Sequence, residues 1–416
     1  MAEKPGELLV VYSGQALGDL KPCGCAKEED QGGIERRMTY LKETAAGTKD
    51  VLLVDVGDNF KEPTPQGKIK AQYLMKSMSL MKYDAVTLGE KDLVYGEKFL
   101  EGLKDIPWVS GNIRFEGSDF PPKYRIKRFA DGLKVAMLAV SDPDLFYLTP
   151  YAAMRIEDPK TSLETLLATW RQTERPDIVV ALSHMRREDA LKLMDVPGID
   201  AVINGHMENE NDAVDMEPVR KGEKIFVQAG PKGQKMGELR IVVSPEGGKS
   251  YRQRMARLDS SVKFDDEMVK LYEEYDGEIE ALFLASRAAK RDKDQKPVYA
   301  SEKTCMACHQ AAHQTWSQSR HSGAYSTLVR VNKAFDPECL ACHTTGFDRP
   351  GGFISETDTP GLENVQCEVC HGPGLEHAQS PKPGFGAQAR QACKQCHVKN
   401  HSPRFNFDDY WPRIKH

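Results

Sequence analysis

Val51-Leu52-Leu53-Val54-Asp55-Val56-Gly57-Asp58 decides the architecture of the first part of this chain. A short apolar run that closes on acidic residues and a glycine reads as a strand buried on both faces, followed by a loop. The same signature recurs on either side. Leu8 to Tyr12 is a strand run, and a helical pattern from Ile34 to Thr44 follows the Gly32-Gly33 break. A second helix is expected from Lys68 to Met81, and strands at Ala85 to Leu88, Val135 to Val140, Ile178 to Leu182 and Ala201 to Ile203. Lys224 to Gln228 and Leu239 to Val243 read as closing strands. Strands that alternate with helices predict an α/β layered domain. Asp58, Glu90, His184 and His206 each come directly after one of these strands, where α/β sheets place their sites.

The chain has 416 residues, with 57 Lys+Arg against 62 Asp+Glu and a formal net charge of −5. That length is a prior for two or three domains, and the charge excludes a nucleic-acid binder working by broad basic attraction. A content of 40% hydrophobic and 29% charged residues excludes a disordered chain. No apolar run approaches the length of a membrane span. A helical pattern runs from Ser261 to about Lys290, and the charged, Pro-ended stretch 291–297 reads as a linker. The expected organisation is a domain over 1–260, a linker helix over 261–296 and a second domain over 297–416.

Eight of the ten cysteines fall in four copies of one pattern: CMACH at 305–309, CLACH at 339–343, CEVCH at 367–371 and CKQCH at 393–397. Two thiols two residues apart suit the two vinyl groups of one porphyrin, and the next imidazole then faces the iron. Zinc knuckles would come in matched pairs, which these unevenly spaced motifs do not form. Four covalent haems c are expected, on Cys305 and Cys308, Cys339 and Cys342, Cys367 and Cys370, and Cys393 and Cys396. His309, His343, His371 and His397 are the expected proximal ligands. Five further histidines, His313, His321, His377, His401 and His416, lie in the same region and nearly suffice for bis-histidine ligation. Met1-Ala2-Glu3-Lys4-Pro5 does not read as a secretory leader. Haem c is attached outside the cytoplasm, so an exported protein, periplasmic or at the cell surface, is expected.

CMACHQAAHQTWSQSRHSGAYSTL, CLACHTTGFDRPGGF and NVQCEVCHGPG together resemble the cytochrome c-554 family of tetrahaem electron carriers, over about residues 303–416. The resemblance implies a mostly helical, haem-packed domain. It makes His321, after Trp316, the distal ligand of the third haem, His377 that of the first and His416 that of the fourth. It leaves the His343 haem open to a small ligand such as nitric oxide, with His401 and His313 as spare residues.

VVYSGQALGDLKPCGC, GGIERRMTYLKE, LLVDVGDNF, YDAVTLGEKDLVYG, ALSH, IDAVINGHMEN and VQAGPKGQKMGELRI resemble the 5′-nucleotidase branch of the calcineurin-like metallophosphoesterases, which includes the thiosulfohydrolases. The resemblance implies a four-layer αββα sandwich and two divalent metals bridged by an aspartate. Asp58, Glu90, His184 and His206 match one metal's ligands. For the other metal, the Asp and His positions are Gln15 and Leu17, the last His is Glu208, and the catalytic His is Lys91. Half of the two-metal site is thus missing, and ordinary phosphoester hydrolysis is not expected. The family's separate nucleotide-binding domain also has no counterpart before the haem motifs. One divalent metal (Mn, Zn, Fe or Ni) on the surviving four residues is one expectation, and a retired scaffold the other.

Cys23 and Cys25, in a loop after the first strand, admit a redox or metal-thiolate role or an oxidised staple. Arg36 and Arg37 either hold an anion near the site or form a solvated helix face. The expected function is electron transfer with redox partner proteins. The alternatives are a redox-coupled metalloenzyme acting on an oxyanion or a sulfur or nitrogen species, with candidates Asp58, His184, His206, Lys91, Cys23 and Cys25, and a docking or assembly module.

Overall fold

The computed structural model describes residues 6–22, 30–146, 153–208, 217–291, 296–386, 389–399 and 401–416. Cys23 and Cys25 lie outside the described residues. The chain divides into two compact units, one built from residues up to Pro22 with Asp30–Glu273, the other containing Glu274–His416.

In the first unit the elements run β1 (Gly6–Ser13), α1 (Ile34–Ala46), β2 (Val51–Asp55), α2 (Pro65–Met81), β3 (Ala85–Thr87), α3 (Glu97–Gly102), β4 (Trp108–Val109), β5 (Ile113–Phe115), β6 (Tyr124–Arg128) and β7 (Lys134–Ser141). They continue with β8 (Met154–Ile156), α4 (Pro159–Thr173), β9 (Ile178–His184), α5 (Arg187–Lys192), β10 (Ala201–Asn204), β11 (Val219–Lys221), β12 (Lys224–Gln228), β13 (Lys235–Val243) and β14 (Lys249–Arg257). One six-stranded sheet has the order β14-β13-β1-β2-β3-β4 and the other β11-β12-β10-β9-β7-β6. β1 to β4 are parallel, with Val10 opposite Leu52 and Val54 opposite Ala85, whereas β13 runs antiparallel to β1 and β14. In the second sheet the parallel strands β7, β9, β10 and β12 are flanked by antiparallel β6 and β11.

Period-two alternation builds the layers. Leu8, Val10, Tyr12, Leu52, Val54 and Val56 of the first sheet meet Val135, Met137, Ala139, Ile178, Val180 and Leu182 of the second in one core. The opposite phase of the second sheet, including Ala136, Leu138, Val140 and Ala181, packs with Leu163, Leu167 and Trp170 of α4 and Ala190 of α5. The outward phase of the first sheet, Leu9, Val11 and Leu53, is buried too, as are Met38 and Leu41 of α1 and Leu74 and Met78 of α2. Each fully buried Val, Leu or Ile contributes about 1.5–3 kcal/mol, so this helix–sheet–sheet–helix stack has a core of ample size.

The second unit has a different economy. α6 (Asp266–Arg291) buries Met268 and Leu271 before the division, and Tyr275, Ile279 and Phe283 after it. The division thus falls inside this helix. Lys333 pairs with Asp276 and Arg287 with Asp358, fastening the later half of α6 to its own unit. Beyond it come only short helices: α7 (Glu302–Met306), α8 (Gln310–Ser317), α9 (Ala324–Arg330), α10 (Pro337–His343), α11 (Cys367–His371), α12 (Leu375–Gln379), α13 (Cys393–Cys396) and α14 (Phe407–Tyr410). After Phe283, the buried hydrophobic residues among those described are Ala324, Leu328, Phe335, Leu340, Phe353, Leu362 and Ala392. Seven side chains are too few to hold so long a segment, which needs a further source of cohesion. Among the described residues, no helix is long and apolar enough to cross a membrane.

Candidate metal centre and haem-attachment sites

Four residues from four loops or strand ends of the first unit converge. Asp58 follows β2, Glu90 follows β3, His184 closes β9 and His206 follows β10. One ligand atom from each lies within 4.8 Å of every other, and among the described residues this is the group suited to a metal ion. His184 Nε2 is 2.9 Å from Glu90 Oε2 and 3.4 Å from Asp58 Oδ2, and His206 Nδ1 is 3.8 Å from Glu90 Oε1.

The backbone is shaped to allow this approach. Asp58 adopts φ +61°, a left-handed conformation that costs a side chain on the order of 1–3 kcal/mol and persists where surroundings enforce it. A Cβ on Gly89 would lie 2.3 Å from Asp58 Oδ1, and one on Gly205 2.2 Å from Val56 O, so neither position admits a larger residue without movement. Asp92, not foreseen from the sequence, ties two of the ligand loops together. Its carboxylate accepts the backbone N–H groups of Asp58 (2.9 Å), Asn59 (2.8 Å) and Gly89 (2.8 Å). Burial, and then the charge of Asp58, push its carboxyl up to about 7.

The electrostatics fit a cation. Asp58 Oδ2 and His206 Nδ1 are buried without a hydrogen-bond partner. Burial opposes ionisation of Asp58, but the charges of His184 and Lys91 overcome it and hold its carboxyl well below the usual carboxylate range. Burial likewise disfavours a charged His184, yet Asp58 and Glu90 raise its affinity for a proton well above that of an ordinary imidazole. The proton that His184 Nε2 presents to Asp58 and Glu90 lies where a divalent ion would bind, and metal binding releases such protons. His184 Nδ1 lies 2.7 Å from Val56 O, which fixes the ring and leaves Nε2 toward the cluster, the arrangement that orients metal-binding histidines. Burial and the neighbouring His184 lower the proton affinity of His206, keeping it a neutral donor. The four residues therefore fit a divalent metal.

The other half of the site is filled differently. Gln15 N–H donates to Gly57 O and Leu17 N–H to Asp58 O, so their segment lines the ligand loop with backbone. Gln15 and Leu17 are buried and Glu208 is exposed. Lys91 Nζ is 3.9 Å from Asp58 Oδ2. Arg36 and Arg37 are not a solvated helix face. They are 3% and 1% exposed, because this side of α1 turns inward, and Arg36 pairs with Asp30 at 2.9 Å.

In the second unit, three pairs of histidine rings face each other: His309 with His377 (centroids 6.4 Å apart), His321 with His397 (6.1 Å) and His371 with His416 (5.8 Å). Metal–imidazole bonds of about 2.0 Å on each side of one ion place ring centroids roughly 6 Å apart, so each pair fits one iron. His343 Nδ1 meets Ala324 O at 2.7 Å, His371 Nδ1 meets Gly386 O at 3.2 Å and His397 Nδ1 meets Ser402 Oγ at 3.1 Å, leaving Nε2 of each for a metal. The pairing expected for His377 and His309 is present. The other two are exchanged: His321 faces the fourth motif and His416 the third. Resemblance carries residue types, whereas the packing of the final segment decides which rings meet. His313 hydrogen-bonds Glu302 at 2.6 Å.

The motifs are also neighbours out of sequence order. The Cys305 thiol lies close enough to that of Cys367, Cys342 to that of Cys396, and Cys393 to that of Cys370 for each pair to affect the other's ionisation. The first motif thus adjoins the third, the third the fourth, and the fourth the second.

The fold and these sites define a mixed α/β, metallophosphoesterase-like domain joined to a helical haem-binding region. The family described as "Cytochrome c554 and c-prime" matches residues 304–372. Cytochrome c-554 of Nitrosomonas europaea is 33% identical over 91 residues, 18% of this chain and 39% of that protein. The 5′-nucleotidase of Vibrio vulnificus is 27% identical over 288 residues, 61% of this chain and 51% of that protein. The crystal structure of a 5′-nucleotidase precursor from Thermus thermophilus superposes with a TM-score of 0.59 at 19% identity, covering 67% of this chain and 60% of that one. The chain thus spans about half or less of these two curated relatives, and joins a 5′-nucleotidase-like domain to a helical region similar to cytochrome c-554.

Proposed function

We propose that this protein is an exported tetrahaem c-type cytochrome that exchanges electrons with redox partner proteins. The observation that carries the reading is the set of four C-x-x-C-H motifs with three facing histidine pairs at 5.8–6.4 Å. Haem c, when bound, supplies one-electron iron chemistry whose potential is tuned by axial ligands and solvent access. The eight motif cysteines would attach it, and Nδ1 contacts would orient the imidazoles of His343, His371 and His397. His377, His321 and His416 would serve the first, fourth and third motifs, and His343 would then be the proximal histidine of a site that admits a small ligand. Adjacency of the motifs in the order first, third, fourth, second gives four sites one unbranched line. Intact-mass spectrometry of the purified protein tests the count, and four covalently bound haems are expected. Electron paramagnetic resonance of the ferric protein should show low-spin iron from three sites and high-spin iron from one. A mass with fewer haems, or with zinc instead, sinks the reading.

The second reading is a redox-coupled metal centre at Asp58, Glu90, His184 and His206, supported by the buried Asp58 Oδ2 and His206 Nδ1, which have no hydrogen-bond partner. A metal there supplies Lewis acidity, while His184 and His206 present neutral nitrogen and Asp58 and Glu90 balance its charge. Elemental analysis against the haem iron should find about one further Mn, Zn, Fe or Ni per chain, lost in His184→Ala. No extra metal after incubation with each ion would leave the first unit a scaffold or docking module.

A further inference from the structure

We propose that Glu368, inside the third motif, is a fixed negative charge that fastens the first motif to the third and lowers the reduction potentials of the haems these two would carry. The inference rests on the tetrahaem reading and deepens it by naming a residue that tunes two of the four sites. Glu368 stands between the two cysteines of CEVCH on α11 and is 4% exposed. Its Oε1 accepts the backbone N–H groups of Ala300 (2.8 Å) and Gly374 (2.7 Å), and its Oε2 accepts that of Ser301 (3.0 Å). Gln366, on the other side of Cys367, accepts the N–H of Glu302 at 2.8 Å. Its amide donates in turn to Gly361 O and Glu363 O, at 2.8 and 2.6 Å. Ala300, Ser301 and Glu302 lead into α7, the helix that carries Cys305. Helix starts leave N–H groups in need of partners, and Ser301 at this one makes no side-chain cap bond. The two residues flanking Cys367 supply those partners, so the entry to the first motif is clipped to the third.

Among the described residues no lysine, arginine or histidine pairs with Glu368, so its charge is held by N–H dipoles and is not cancelled by a cation. That charge is felt at sulfur on both sides. Cys367, burial and Glu368 together push the Cys305 thiol up. Cys305 pulls the Cys367 thiol down, and burial and Glu368 work against it. The other buried carboxylate described in this unit, Asp336, caps α10 and so belongs to the second motif. A buried charge acts through a low dielectric, and ferric iron carries one more positive charge than ferrous. An anion fixed between two haem sites therefore favours the ferric state of both, which lowers their potentials.

The test is a redox titration of the full-length, haem-loaded protein, with its haem content first checked by intact mass. Glu368→Gln removes the charge and keeps an oxygen able to accept N–H groups. Two of the four reduction steps should rise by about tenfold in their equilibrium constants, or about 59 mV each. Haem-methyl NMR signals should assign both steps to the first and third motifs. The rise should persist in high salt, because a buried charge is little screened. Glu368→Asp keeps the charge on a shorter stem, and should leave both potentials near those of the parent. Unchanged potentials in fully loaded Glu368→Gln overturn the inference, as does an equal rise at all four haems. A rise in Glu368→Asp as large as in Glu368→Gln also overturns it, for the residue would then act by geometry alone. Should Glu368→Gln fail to take up four haems, Glu368→Asp decides: parent-like potentials with a full complement support the charge, and raised ones overturn it. Fewer than four haems on the unsubstituted protein sinks the tetrahaem reading itself, a failure that the mass reveals before any titration.

Discussion

The ligand set is held by residues that bind nothing themselves. Gly89 is the clearest, because an added Cβ falls 2.3 Å from Asp58 Oδ1. Gly89→Ala should displace Asp58 or the turn that carries Glu90, at a cost of about 1–3 kcal/mol from overpacking. The expected result is a lower denaturant midpoint with at least partial loss of the extra metal, and a variant retaining both unchanged would contradict the packing described. The candidate ligands could be read from the sequence, since acids and histidines stood directly after strands. Asp92 could not, because a carboxylate bonded to three backbone N–H groups looks in sequence like any other acid two residues past Glu90. The inward turn of Arg36 and Arg37 was equally hidden, for burial of a helix face depends on what covers it.

At the scale of elements, the strands read most easily were those buried on both faces. β1, β2, β7 and β9 are continuous apolar runs, and their observed limits exceed the expected ones by a few residues at most. β14 escaped, since Lys249–Arg257 alternates partly covered and exposed polar residues and sits at a sheet edge. An ion pair fastens it. Glu238 on β13 accepts both Arg254 Nε (2.7 Å) and Nη2 (2.6 Å) and also the Tyr40 hydroxyl of α1. Burial works against the charged Glu238, but Arg254 and Tyr40 outweigh it and lower its proton affinity. A carboxyl depressed on folding stabilises above its unfolded value and loses that contribution as pH falls through the depressed one. Glu238→Gln should therefore cost about 1–2 kcal/mol near neutrality, discounted because Arg254 is largely exposed. The difference from the parent should shrink in urea titrations below about pH 4, and a difference independent of pH would contradict the assignment.

For the whole molecule, the two units differ in what makes them fold. The first closes a two-sheet core of its own, whereas the second buries seven hydrophobic residues after Phe283 among those described. Chain produced without haem attachment should keep a protease-resistant core ending near Glu273 and lose residues 297–416 to digestion. Equal resistance of both units would show that side-chain packing alone suffices for the second. This asymmetry was legible in part, from a Gly-, Pro-, His- and Cys-rich region poor in apolar runs. The exchange of His321 and His416 was not, because nothing local to either residue specifies which ring will stand opposite.

The thiol neighbours carry a liability of manufacture. Cys305 beside Cys367 and Cys342 beside Cys396 are pairs that a thiol oxidant could join as readily as a porphyrin could separate them. Were the chain matured in an oxidising compartment, maturation would become a race between two modifications of the same sulfur atoms. Each crosslink formed first would spoil two motifs at once, half of the four that the sequence carries. Haem-starved cells should accordingly accumulate a species crosslinked between residues 305 and 367 or 342 and 396, visible by non-reducing peptide mass mapping and abolished by reductant during growth.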